Sequence, residues 1–319
     1  MFPIVFIYIT KLKLMHIKFT IWREGNFFLK GKIPMNVKIL ADSACDLPLD
    51  IINSLNIELL PLVVQVDEQQ FYDLETIQPK ELYDQMRSGK APKTAQVPPA
   101  RFEEAFMKYA EKNEICIYIA FSSELSGTYQ TSTLVRDDVV EKYPDFDLTI
   151  IDTKAASLGY GLIVKKAAEL AMEGKSKNEI LFTIDFYCKH VEHLFTVDSL
   201  EYLYRGGRVS KTSAFVGGLL NIKPILNVED GKLVPLEKLK GRKKVLKRIV
   251  ELMTERGDNL KDQLVAISHS DDLETAEMIR DLINAECGTE QFLINNIGCS
   301  IGAHVGPGTI AIFFLNKVE

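Results

Sequence analysis

The sequence has no C-x-x-C pair, no net positive charge, no internal repeat and no low-complexity stretch, and each absence removes a class of function. Its five cysteines, Cys45, Cys116, Cys188, Cys287 and Cys299, are scattered and odd in number. That usage argues against a disulfide framework and for a reducing, cytoplasmic compartment. A net charge of −6 leaves the chain without the field on which non-specific nucleic-acid binding depends, so any anion site must be local. Cys188, His190 and His193 have no further His or Cys partner at finger-like spacing, so no metal site is expected. Both histidines are read instead at a helix end, where an imidazole suits the helix dipole.

Nucleotide motifs are missing too. "RGGRVSKTS", Arg205 to Ser213, lacks the G-x-x-x-x-G-K-[ST] spacing, and "GYGLIV", Gly159 to Val164, lacks the third glycine of a dinucleotide fingerprint. Gly298, Cys299, Ser300, Ile301 and Gly302 satisfy G-x-S-x-G literally. The context contradicts a hydrolase elbow, because no Asp follows Ser300 and His304 is only four residues away. The opening block "MFPIVFIYITKLKLMHIKF" is too short to span a bilayer, and its apolar residues precede Lys11 and Lys13, the reverse of a signal peptide. Residues 1–34 are therefore expected to be an appended, mis-started or disordered extension, with no stable membrane insertion.

What is present reads as α/β. The chain has 319 residues, 46% of them hydrophobic, enough for two domains with real cores. From Val37 onward, strand and helix signals alternate with short connections, which implies parallel strands covered by helices. "VKILADS", "IELLPLVVQV", "EICIYIA" and "FDLTIIDT" read as strands of a doubly wound domain over residues 35–194. Ser176 with Glu179 has capping-box spacing at the start of a helix. After Leu194 the pattern changes to a smaller mixed α/β domain, 195–319, opened by a hairpin around Asp230 and Gly231. A cleft between the domains is the expected ligand site.

One stretch has chemical character. "IYIAFSSELSGTYQTS", Ile117 to Ser132, runs from an apolar strand through a hydroxyl-rich loop into a helix. A helix N-terminus beyond a strand's carboxyl end presents free amides and partial positive charge, which favour an anion. Gly127 allows close approach and unusual φ/ψ, and the hydroxyls of Ser122, Ser123, Ser126 and Thr128 can donate. The plain alternative is that Ser126 or Thr128 is an N-cap. The basic run "KLKGRKKVLKR", Lys238 to Arg248, reads as a solvated helix face.

Taken in order, "ILADSACDLP", "KTAQVPP", "FSSELSGTYQTS", "EYLYRGGRVSK" and "IGCSIGAHVGPGT" resemble the DegV family of bacterial lipid-binding proteins, from about Val37 to Phe314. The resemblance implies a two-domain α/β protein that buries one long-chain fatty acid with its carboxylate at the domain interface. Its best-understood members, called FakB, further imply a non-enzymatic subunit that presents the acid to a separate fatty acid kinase for phospholipid synthesis. No cofactor is implied beyond the bound fatty acid. By resemblance, Ser126 and Gly127 correspond to the carboxylate-binding loop, Thr94 to a second hydroxyl contact, and His304 to a histidine near the head group. Arg205 and Arg208 match a segment implicated in docking the kinase. Ala95 stands where the family often has serine, leaving Thr94 and Gln96 as that segment's polar contacts. The competing reading is a substrate subunit like that of dihydroxyacetone kinase, with His304 holding a small carbonyl compound covalently.

Overall fold

The computed structural model describes residues 37–209 and 222–318. The expected extension at residues 1–34 and the Ser210–Ser213 end of "RGGRVSKTS" lie outside them. The strands in chain order are β1 (Val37–Asp42), β2 (Glu58–Leu60), β3 (Val63–Val66), β4 (Gln69–Tyr72), β5 (Lys93–Ala95), β6 (Ile115–Ala120), β7 (Leu148–Asp152), β8 (Val191–Thr196), β9 (Ile222–Glu229), β10 (Lys232–Lys240), β11 (Leu264–His269), β12 (Gln291–Asn296) and β13 (Ile310–Leu315). The helices are α1 (Leu49–Ser54), α2 (Pro79–Arg87), α3 (Pro99–Ala110), α4 (Thr128–Lys142), α5 (Ser157–Met172), α6 (Lys177–His190), α7 (Glu201–Arg205), α8 (Arg242–Arg256), α9 (Leu273–Cys287) and α10 (Cys299–Val305).

Strands β2-β1-β6-β7 make a parallel sheet. Every residue of β6 is buried, as a strand covered on both faces requires. The chain passes from β1 to one neighbour, β2, and later returns to the other, β6. The crevice outside the carboxyl ends at such a reversal is where open α/β sheets take ligands. The loop after β6, Phe121 to Gly127, leaves the sheet at this end.

The expected single strand "IELLPLVVQV" is two strands. Pro61 has no N–H to give a ladder, and the Leu62 amide donates to Ser43 Oγ at 3.1 Å instead of to a neighbouring strand. Beyond that break β3 pairs antiparallel with both β4 and β5 in a small separate sheet, which carries Thr94. Local signals did hold elsewhere. Ser176 and Glu179 make both bonds of the capping box, and Asp230 and Gly231 turn the β9–β10 hairpin with φ of 47° and 82°, the positive values such tight turns need.

The second large sheet has the order β10-β9-β8-β13-β11-β12 and mixes parallel and antiparallel pairs. Its strands alternate. Leu194, Ile310, Ile312 and Phe314 enter a core with residues of α8 and α9, while Phe195, Ala311 and Phe313 enter the core shared with the parallel sheet. Helix α5 packs on β1 and on β8, β11 and β13, so it lies between the two sheets. The pattern change expected after Leu194 falls inside β8, which belongs wholly to the second sheet. Among the described residues no helix is long and apolar enough to cross a membrane.

Candidate functional site

A cavity of about 490 Å³, within the usual range for small-molecule sites, opens where the two large sheets and the small one meet. Its walls are mostly apolar, with Phe121, Phe195, Val228, Leu233, Ile297 and Phe313 among the lining residues. Polar groups gather where β5, the loop after β6, α10 and the segment after α7 come together.

Thr94 on β5 and His304 on α10 meet there, with Thr94 Oγ1 2.6 Å from His304 Nε2. His304 is placed by a device that the sequence reading missed. Asp73 is fully buried and accepts hydrogen bonds from the Cys299 amide at 2.9 Å, the Ser300 amide at 3.0 Å and the Ser300 hydroxyl at 2.6 Å. It also accepts from Ser43 Oγ at 3.1 Å. A carboxylate at the N-terminus of a helix satisfies amides that have no partner within it. Ser300, read from the sequence as a G-x-S-x-G serine, thus spends its proton on Asp73. Other His304 neighbours close from the far side: its Nδ1 is buried, has no hydrogen-bond partner among the described residues and sits against Gly206.

The loop after β6 is pinned at nearly every residue. The Phe121 amide donates to Asp42 Oδ2 at 3.0 Å, Ser122 Oγ donates to the Gly231 carbonyl of the hairpin at 2.9 Å, and the Ser123 amide donates to Asp152 at 3.1 Å. Of the four hydroxyls expected to face a ligand, Ser122 is therefore turned to the hairpin, Ser123 receives Lys154 Nζ at 2.7 Å, and only Ser126 lines the cavity. The N-cap of α4 is Gly127 rather than Ser126 or Thr128, and Ser126 Oγ, one residue before it, accepts the Thr128 amide at 3.2 Å while facing the cavity. Gly127 has an ordinary φ of −72°, so unusual backbone geometry is not its reason. A side chain there would collide with Gln96, another lining residue, so close approach is.

The two arginines part company. Arg205 is exposed, paired with Glu201 at 2.5 Å and lying 5.7 Å from the Tyr202 ring centre. Arg208 is half-buried and lines the cavity; its Nε donates to the Leu125 carbonyl at 3.1 Å and its Nη1 to Gly206 at 2.5 Å. This brings a guanidinium beside Ser126 and His304. Burial lowers the Arg208 pKa. Burial also lowers His304 to about 4, and the Arg208 charge acts in the same direction, so the imidazole is neutral near pH 7.

His193 is a further lining residue, and it lies in β8 rather than at a helix end. Only His190 ends a helix, α6. The alternation along β8 that turns His193 and Phe195 to one side and Leu194 to the other was the available signal. Its Nε2 accepts the Ala156 amide at 3.2 Å, its ring meets Phe313 edge-on at 5.3 Å, and burial lowers it to about 4. A histidine depressed in the folded state takes its proton more readily when unfolded, so stability present above pH 6.5 is lost as pH falls towards 4. Asp42, raised to about 6 by burial, holds its proton more tightly when folded and opposes that trend. The expected result is comparative: between pH 6.5 and 4 the melting temperature of His193→Gln falls less than that of wild type. Among the described residues no cluster of His, Cys, Asp and Glu could hold a metal ion.

Fold and cavity define an α/β protein with a partly open, mostly apolar cavity that has a donor-rich end. The profile described as "Uncharacterised protein, DegV family" matches residues 36–317, and the chain belongs to the DegV family. It is 44% identical over 284 residues to a DegV domain-containing protein of Clostridium perfringens, covering 88% of this chain and 98% of that one. It is similar to the structure described as fatty acid binding of a DegV family protein from Thermus thermophilus, with TM-score 0.80, 31% identity, and 88% and 99% of the two chains covered. It is also similar to DegV, a fatty acid binding protein from Bacillus subtilis, with TM-score 0.78, 30% identity, and 89% and 100% covered.

Proposed function

We propose that this chain binds one long-chain fatty acid, enclosing the acyl chain in the cavity and holding the carboxylate among Ser126, Thr94, His304 and Arg208. The observation that carries this reading is the combination, in one cavity, of apolar walls and a donor-rich end. Burying roughly fourteen methylenes at ~0.8 kcal/mol each gives a gross gain of about 11 kcal/mol, ample for tight binding without a covalent bond. An ionised carboxylate leaves water only where donors replace it, and hydroxyls backed by a guanidinium meet that demand. The fatty-acid-binding descriptions of the Thermus and Bacillus relatives support the same ligand class. In this reading the parallel and six-stranded sheets centre two domains, divided near residue 194, with the ligand between them. The five free thiols suit a reducing, cytoplasmic setting.

The finer proposal is presentation to a separate kinase subunit. A carboxylate oxygen bonds to the terminal phosphorus of the partner's nucleotide as the bond to the diphosphate leaving group breaks, giving an acyl phosphate. This chain supplies positioning and no nucleotide site. Exposed Arg205 suits the docking face, whereas inward-facing Arg208 suits the head group. A coupled assay with the kinase tests both levels: Arg205→Glu should slow acyl phosphate formation about tenfold, the equivalent of one charge-assisted contact, with lipid content unchanged. Lipid loss in that variant would assign Arg205 to the pocket or the fold. The small-carbonyl reading is not favoured, because His304 Nε2 is engaged by Thr94, Nδ1 is buried against Gly206, and the cavity walls are apolar.

A further inference from the structure

Thr128 is fully buried at the first position of α4 and touches both segments of the polar end. Its Oγ1 accepts the Val97 amide of "KTAQVPP" at 3.4 Å and lies 2.8 Å from Ser126 Oγ, which also accepts the Thr128 amide. Two proton arrangements fit the contact between the hydroxyls. If Ser126 donates to Thr128, the buried Thr128 proton has no acceptor among the contacts of the described residues, and a stranded buried donor is costly. If Thr128 donates to Ser126, every polar group of Thr128 is used and the one unused proton belongs to Ser126, which faces the cavity. A hydroxyl has one proton and two acceptor positions. Both acceptor positions of Ser126 Oγ are then filled, by the amide and the hydroxyl of Thr128, and its own proton is left to point into the cavity.

We infer that Thr128 is a positioning residue that makes Ser126 an obligate hydrogen-bond donor, so that this end of the cavity selects an acceptor-only group such as an ionised carboxylate. The inference rests on the head-group reading above and adds to it the residue that sets the direction of the hydroxyl. Thr128 touches no ligand itself; it acts through Ser126, and its methyl and hydroxyl are equally placed in Thr128→Val apart from the lost O–H and its acceptor.

The test is a double-mutant cycle on delipidated protein with palmitate, together with titration of bound palmitate labelled with carbon-13 at the carboxyl. Thr128→Val should weaken palmitate binding about tenfold and raise the pKa of the bound carboxyl, while Thr128→Ser stays within about twofold of wild type. In a Ser126→Ala background the same valine substitution should add little. Thr128→Ala carries the comparison if valine, which leaves the Val97 amide unpaired, is not accommodated. An equal cost of Thr128 substitution with and without Ser126, or an unchanged affinity and carboxyl pKa, overturns the inference. Wild-type palmitate affinity in Ser126→Ala alone instead overturns the head-group reading, and this inference with it.

Discussion

Replacing Thr94 and Ser126 together with alanine lowers palmitate affinity about a hundredfold while the unliganded protein keeps its fold. The expectation follows from where the two hydroxyls sit. Both line the cavity at its polar end, on different elements, and neither is needed to close a core. A hydrogen bond to a charged group contributes about 1.5–3 kcal/mol, so losing two costs at least about 3 kcal/mol, or two powers of ten in Kd. Ser126→Ala also removes the acceptor of the Thr128 amide, a hydrogen bond worth about 1 kcal/mol of stability. Thermal denaturation of the unliganded variants separates the two effects. Isothermal titration with palmitate then reads the first, and an unchanged Kd in the double variant would remove the carboxylate from this end of the cavity.

A second large effect is expected from a residue with no direct view of the ligand. Asp73→Ala leaves the Cys299 and Ser300 amides and the hydroxyls of Ser43 and Ser300 without their shared acceptor, all in the interior. Each buried donor left unpaired costs about 1–3 kcal/mol. Relaxation and entering water recover part of this, and a net loss of about 3–5 kcal/mol is the expected outcome, in the range seen when one partner of a buried charged contact is removed. For a chain of this size that is a fall of roughly 5–8 °C in melting temperature. Because α10 carries His304, lipid binding should fall with it. Asp73→Asn keeps the size and one acceptor oxygen, so it should lie between wild type and Asp73→Ala. If Asp73→Ala melts within about 2 °C of wild type, Asp73 does not anchor α10.

These two predictions mark what could be read in the sequence. Where the cause of a structure is local, residues a few positions apart reveal it. The capping box of Ser176 and Glu179, the Asp230–Gly231 turn and the apolar run of β6 each carry their own signal. The strand-loop-helix around Ser126 is legible for the same reason, and the resemblance across five motifs then gives the loop a ligand class. Other features depend on partners far along the chain. Asp73 meets Ser300 across 227 positions, and Thr94 meets His304 across 210, so no window of sequence contains either pair. Arg205 and Arg208 look alike in "YRGGRV", yet α7 ends at Arg205, and Gly207, with φ +70°, turns the chain so that only Arg208 faces inward. The split at Pro61 was visible as a proline within a strand-like run, a signal that outweighs hydrophobicity because the missing N–H cannot be replaced. His193 was misplaced because the end of α6 and the start of β8 are adjacent residues, His190 and Val191, with no intervening turn to announce the change.

Two kinds of polar contact share the cavity. Ser157 and Ser300 line it, but their hydroxyls are committed to buried carboxylates, Ser157 to Asp46 at 2.5 Å and Ser300 to Asp73. A polar residue whose hydrogen bonds are already satisfied presents little demand to an apolar ligand. The His193 ring is held in the same way, by the Ala156 amide. In the proposed binding mode the acyl chain runs past these groups, and the head group meets Ser126, Thr94 and Arg208 at the polar end.

Intact mass measured on the purified protein, first under native and then under denaturing conditions, tests the central claim most directly. The fatty-acid reading predicts a native mass that exceeds the chain by one long-chain fatty acid, with that increment lost on denaturation and the released lipid recovered as a free acid. An adduct that persists after denaturation, or a native mass equal to that of the bare chain even after incubation with palmitate, would contradict it.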